Sequence, residues 1–104
     1  MLKDFLDKDH ENVKKEDIAI LYFSAIWCAP CQVLKPIMQN LSEEFKDKAN
    51  FYYADIDEKA INTASMSAIR GVPTVCIWKK GEEVDRSVGS IPESKMRDFL
   101  NKNL

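Results

Sequence analysis

The apolar positions of this chain fall into two patterns. IAILYF at 18–23 and FYYADI at 51–56 are continuous apolar runs. Runs of that length without alternation predict strands covered on both faces. Between them Val33, Leu34, Ile37, Met38, Leu41 and Phe45 recur every three or four residues, which predicts a helix over 31 to about 46 with one apolar stripe. Two strands joined by a crossover helix make a parallel βαβ unit. Upstream, Leu2, Phe5 and Leu6 stand at helical spacing and Glu11 and Lys15 are four apart. They predict a polar helix over 2 to about 15, with a short edge strand at its very start as the alternative reading. Downstream, 58–68 predicts a short, weak helix. VPTVCIW at 72–78, the turn KKG at 79–81 and EEVDRSV at 82–88 predict a hairpin whose alternating second strand lies near a sheet edge. Pro92 and Glu93 open a last helix with Met96, Phe99 and Leu100 on its inner face. The expected class is α/β: a central mixed β-sheet flanked by helices on both faces.

With 104 residues and 45 % apolar positions, the chain suffices for one domain with its own core, taken as 1–104. Its 15 basic and 17 acidic residues are interspersed and leave a net charge of −2, which offers no attraction to nucleic acid or anionic lipid. No apolar run approaches the roughly 20 residues of a membrane helix. The start, MLKDFLDKDHENVKKED, lacks the apolar stretch of a secretory signal, so the expectation is a cytoplasmic chain. In that compartment thiols are kept reduced, and three cysteines do not make a disulfide framework.

The chemistry concentrates in SAIWCAPCQVLKP at 24–36, where Cys28 and Cys31 are separated by Ala29 and Pro30. Cys28 falls at the end of a strand-to-helix loop and Cys31 within the following helix. A helix N-terminus presents free N–H groups and partial positive charge, which stabilise a thiolate. Pro30 has no N–H to leave unpaired there and stiffens the short ring that a disulfide would close. A zinc or iron–sulfur site within one chain needs more ligands than Cys76 and His10 can add. A cluster shared between two chains stays open, as does a static staple. Redox chemistry of the pair is the leading reading.

WCAPC after an apolar strand, then RGVPT at 70–74, KKGEE at 79–83 and VGS at 88–90, follow in an order that resembles the thioredoxin family over about residues 17 to 104. The resemblance implies the thioredoxin fold and a thiol–disulfide oxidoreductase. Cys28 would be the exposed attacking thiol and Cys31 the shielded resolving one. Trp27, Ala29, Pro30, Val72, Pro73 and Gly89 would meet the substrate: Trp27 flanking the site, Pro73 in a cis peptide opposite the disulfide, Val72 offering its backbone to an extended segment, and Gly89 permitting close approach. It implies a monomer with no bound cofactor or metal. Electrons would come from NADPH through a flavin-containing thioredoxin reductase, and the other partners would be proteins bearing disulfides. Pro36 would bend the long helix, Cys76 would be an inert core thiol and His10 a surface residue. A thioredoxin-like adaptor, with turnover secondary, is the competing reading.

The chain departs from the family in one coherent way. Tyr22 stands where the family has a buried Asp, and Tyr53 where it has the accompanying Lys. Losing both avoids a stranded buried charge. Tyrosine is a poor base near neutrality, so the resolving step is expected to be slower than in an Asp-containing relative. Ser24 replaces a common Trp, and Ile26 makes the surface beside the site more apolar.

Overall fold

A computed structural model describes residues 1–104. Its elements are β1 (Leu2–Asp4), a 3₁₀ turn (Asp7–Asp9), α1 (His10–Val13), β2 (Ile18–Ser24), α2 (Ala29–Glu44), β3 (Asn50–Asp55), α3 (Ile61–Met66), β4 (Thr74–Lys79), β5 (Glu82–Val88) and α4 (Glu93–Asn103). The five strands form one sheet in the order β1-β3-β2-β4-β5. β1, β3 and β2 run parallel, and β4 and β5 each run antiparallel to their neighbour.

Although β2 reads as one apolar run, the two-residue period of a strand divides it between two cores. Ile20 and Tyr22 face Leu34, Met38 and Leu41 of α2 and Met96 and Leu100 of α4. Ala19, Leu21 and Phe23 face Phe5, Val13, Ala60, Ala64 and Trp78 on the other side. Helices therefore cover both faces, as the uninterrupted strands require. Each fully buried large side chain contributes about 1.5–3 kcal/mol of transfer free energy.

The N-terminal segment differs from its helical reading. Residues 2–4 take the alternative reading, an edge strand with Leu2 level with Phe51, and only His10–Val13 is α-helical. The exposed edge of β3 offers the backbone a ladder that three residues of weak helical pattern cannot outweigh. Phe5 then drops fully into the core. The helical stripe of α2 is also narrower than its spacing implied, since Val33 lies 65 % exposed beside the site. His10 is half-buried, its ring centroid 5.4 Å from that of Trp78, because the short α1 lays it on the indole.

α3 has only six residues and no cap of its own. Asp7 supplies one from across the chain: its carboxylate accepts the Thr63 N–H at 2.8 Å, the Asn62 N–H at 3.1 Å and the Thr63 hydroxyl at 2.9 Å. Burial alone would raise the Asp7 pKa, but these hydrogen bonds outweigh it and hold the group below its ordinary value. A carboxylate with a depressed folded pKa stabilises the fold above its unfolded pKa, near 3.9, and that contribution is lost as pH falls through the folded value. Asp7→Ala is expected to cost about 1 kcal/mol at pH 7, as other lost caps do. Thermal melts should show the gap to wild type closing below about pH 4; a gap independent of pH would contradict the capping role.

Candidate functional site

The chain leaves β2 at Ser24 and turns through Ala25, Ile26 and Trp27 to reach the start of α2. Cys28 is the N-cap residue, in extended conformation with φ −93° and ψ 105°. Its sulfur accepts the Cys31 N–H at 3.2 Å, so a free donor of the first helical turn points at it. The loop is held by Cys28 N–H to the Ala25 carbonyl at 3.1 Å and by the Gln32 amide to the same carbonyl at 3.0 Å. Pro30 lies in the first turn of α2, where no N–H is wanted. Cys28 and Cys31 form a disulfide, with Cα atoms 5.2 Å apart.

Exposure around the disulfide is graded. Trp27 is 67 % and Ile26 79 % exposed, Cys28 only 6 %, and Cys31 not at all. Cys28 is thus less open than the family resemblance implies. Ile56 and Val72 pack against the pair, and the Val72 carbonyl stands 3.7 Å from the Cys28 sulfur. The order of access is still Cys28 before Cys31. The indole N–H of Trp27 donates to the Asp57 carboxylate, which fixes the ring beside the site.

Opposite the pair, the Val72–Pro73 peptide is cis. The Thr74 hydroxyl donates to the Gly71 carbonyl at 2.7 Å, and the Gly89 N–H donates to the Pro73 carbonyl at 2.8 Å. The fold therefore brings Trp27, Cys28, Ala29, Pro30, Cys31, Val72 and Pro73 together, with Gly89 tied to them through Pro73. Gly89 has φ +95°, which disfavours any side chain, yet a Cβ there would meet no atom within 4 Å. Within the chain its constraint is backbone conformation rather than crowding.

Beneath Cys31 lies a group of residues that the family resemblance pointed to only in part. Tyr22 is fully buried and its hydroxyl donates to the Cys31 carbonyl, not to the sulfur. Desolvation pushes its pKa up to about 12, so it stays neutral. Tyr53 meets Tyr22 edge-on, with ring centroids 5.6 Å apart. The ammonium of Lys35, four residues after Cys31 on α2, sits 4.3 Å from the centre of the Tyr53 ring. A cation has thus returned to this region from the helix instead of from β3. Lysine at 53 would crowd Lys35, so exchanging Tyr22 and Tyr53 together for the family's Asp and Lys would not restore a simple pair. The only sequence signal for Lys35 was its helical offset from Cys31.

Cys76 lies on the other face of the sheet, fully buried, with its thiol pushed up to about 12 by burial and then by Glu83. It is not a nucleophile at neutral pH. No three His, Cys, Asp or Glu side chains are grouped to hold a metal ion, and no helix is long and apolar enough to cross a membrane. None of the surface hollows is lined by Cys28 or Cys31.

The family model for thioredoxin matches residues 4–102. Thioredoxins from the Staphylococcus aureus strains Mu50 / ATCC 700699, MW2 and N315 are each 30 % identical over 98 residues, covering 94 % of this chain and 93 % of theirs.

Proposed function

The chain belongs to the thioredoxin family and is a thiol–disulfide oxidoreductase acting through Cys28 and Cys31, and on that premise we propose that it reduces disulfides of other proteins. The observation that carries this reading is the placement of the disulfide. It closes the start of α2 beside an exposed Trp27, against the backbone of Val72, with one cysteine slightly accessible and the other fully buried.

In the reduced protein the Cys28 thiolate attacks one sulfur of the substrate disulfide. That S–S bond breaks, its other sulfur leaves as a thiolate and takes a proton from water, and a mixed disulfide joins Cys28 to the substrate. Cys31, having lost its proton, attacks the Cys28 sulfur. The substrate leaves with its second thiol, and Cys28–Cys31 is oxidised. The substrate segment runs along Val72 and Pro73, flanked by Trp27, Ala29, Pro30 and Gly89. A flavin-containing thioredoxin reductase returns two electrons from NADPH. The protein works as a single domain, a monomer in the cytoplasm, with no bound cofactor of its own.

A Cys31→Ser chain tests this reading, because it can attack but not resolve. In cell extract it should capture proteins on Cys28 through bonds that dithiothreitol releases, while Cys28→Ser/Cys31→Ser captures none. An empty trap, or capture insensitive to dithiothreitol, would refute protein disulfides as substrates. With wild-type chain, NADPH consumption should require both the flavin reductase and a disulfide-bearing protein.

A further inference from the structure

One buried side-chain polar atom of this chain has no hydrogen-bond partner: the hydroxyl oxygen of Ser24. The residue is fully buried at the end of β2. Its backbone carbonyl accepts the Ile56 N–H at 3.0 Å, while the side chain is unspent. Native proteins rarely leave such a group unpaired, because its lost hydration is not replaced.

The position of Ser24 indicates what the hydroxyl serves. It follows Tyr22 by two residues and so shares the sheet face that receives α2. The next residue, Ala25, packs directly against Cys28 and Cys31. The hydroxyl stands close enough to that of Tyr22 to lower its pKa against the effect of burial, yet without the alignment of a hydrogen bond, and the Tyr22 hydroxyl in turn meets the Cys31 carbonyl, which puts Ser24 in the dry layer under Cys31. While that bond is closed, neither sulfur bears a proton or a charge. When it opens, Cys31 holds a sulfur in a site with no solvent exposure, and a thiolate there needs a donor. The other groups facing it are committed elsewhere. The Tyr22 hydroxyl is bonded to the Cys31 carbonyl, Tyr53 lies beyond Tyr22, the Lys35 ammonium sits on the Tyr53 ring, and the Cys31 N–H points at Cys28.

We propose that the Ser24 hydroxyl is a positioning donor for the Cys31 sulfur of the reduced protein, unpaired only while the disulfide is closed. The inference rests on the redox reading of Cys28 and Cys31. The step it biases is Cys28–Cys31 disulfide plus two glutathione thiols giving two protein thiols plus oxidised glutathione: one S–S bond breaks, one forms, and two protons and two electrons pass to the cysteines. A hydroxyl unpaired in the disulfide and paired in the dithiol favours the dithiol.

Equilibration in glutathione redox buffers tests this. Ser24→Ala should shift the balance toward the disulfide about tenfold, a potential about 30 mV more negative. Ser24→Thr, which keeps a hydroxyl, should stay within about twofold of wild type. Melting of the two redox forms gives an independent reading. The oxidised alanine variant should melt at or above wild type, and the reduced one about 4–8 °C below it. An unshifted equilibrium, or equal melting changes in both forms, overturns the proposal while leaving the redox reading intact. A wild-type pair that does not exchange with glutathione overturns both.

Discussion

Cys28→Ser is expected to lower reduction of a protein disulfide by more than about 10³-fold, with the fold unchanged. A serine hydroxyl at this position has no neighbouring base and is a far weaker nucleophile than a thiolate. The helix start would still direct the N–H of residue 31 at it, but an N–H dipole does not ionise an alcohol at neutral pH. Losses of this size are the rule when a nucleophile is removed from a unit of coupled groups. The measurement is the rate of reduction with dithiothreitol or the flavin reductase as electron source, alongside a melting curve that certifies folding. Retained biological activity in cells carrying Cys28→Ser would instead support a role as an adaptor. Retained reduction would mean that Cys31 can attack on its own, against its complete burial.

Leu34→Ala is expected to cost about 2–5 kcal/mol, the range for truncating a buried leucine. Leu34 is fully enclosed and packs with Ile20, Tyr22, Met38 and Val75 between α2 and the sheet. Against a total of about 5–15 kcal/mol for a domain of this size, the melting point should fall by about 10 °C or more. The effect reaches the site because Leu34 is the residue that seats the helix turn after Cys31. In the reduced variant Cys31 should lose part of its shielding, seen as faster alkylation relative to Cys28. A melting point within about 3 °C of wild type would show that the helix is held mainly by Met38, Leu41 and their neighbours.

The physical basis of the site divides into a local part and an assembled part. Cys28 caps α2 and Pro30 fills its first turn through short-range backbone geometry, and both were legible in CAPC itself. The cis Val72–Pro73 peptide lies 44 residues from Cys28 along the chain and meets it only because β4 pairs with β2. The family resemblance located it; residue spacing alone did not. Tyr22 was recognisable as a departure, but its hydroxyl turned to the Cys31 carbonyl, a choice made by the packing of α2 on β2. Lys35 carried no signal beyond its helical offset, and Ser24 stood out only as the replacement of a common Trp. One became a cation over the Tyr53 ring and the other a hydroxyl without a partner only once α2 covered the sheet.

Local pattern was enough to define the strands at 18 and 51, the helix between them, the hairpin, the last helix and the dithiol at a helix start. Each depends on periodicity or capping within a few residues, where backbone geometry fixes which side chains share a face. Tertiary structure decided the rest. It made residues 2–4 a strand by offering them the free edge of β3, laid His10 on Trp78, enclosed Cys28 more tightly and placed four polar side chains beneath Cys31. Those outcomes rest on contacts between segments tens of residues apart, and a local pattern carries no information about which distant surface will cover it.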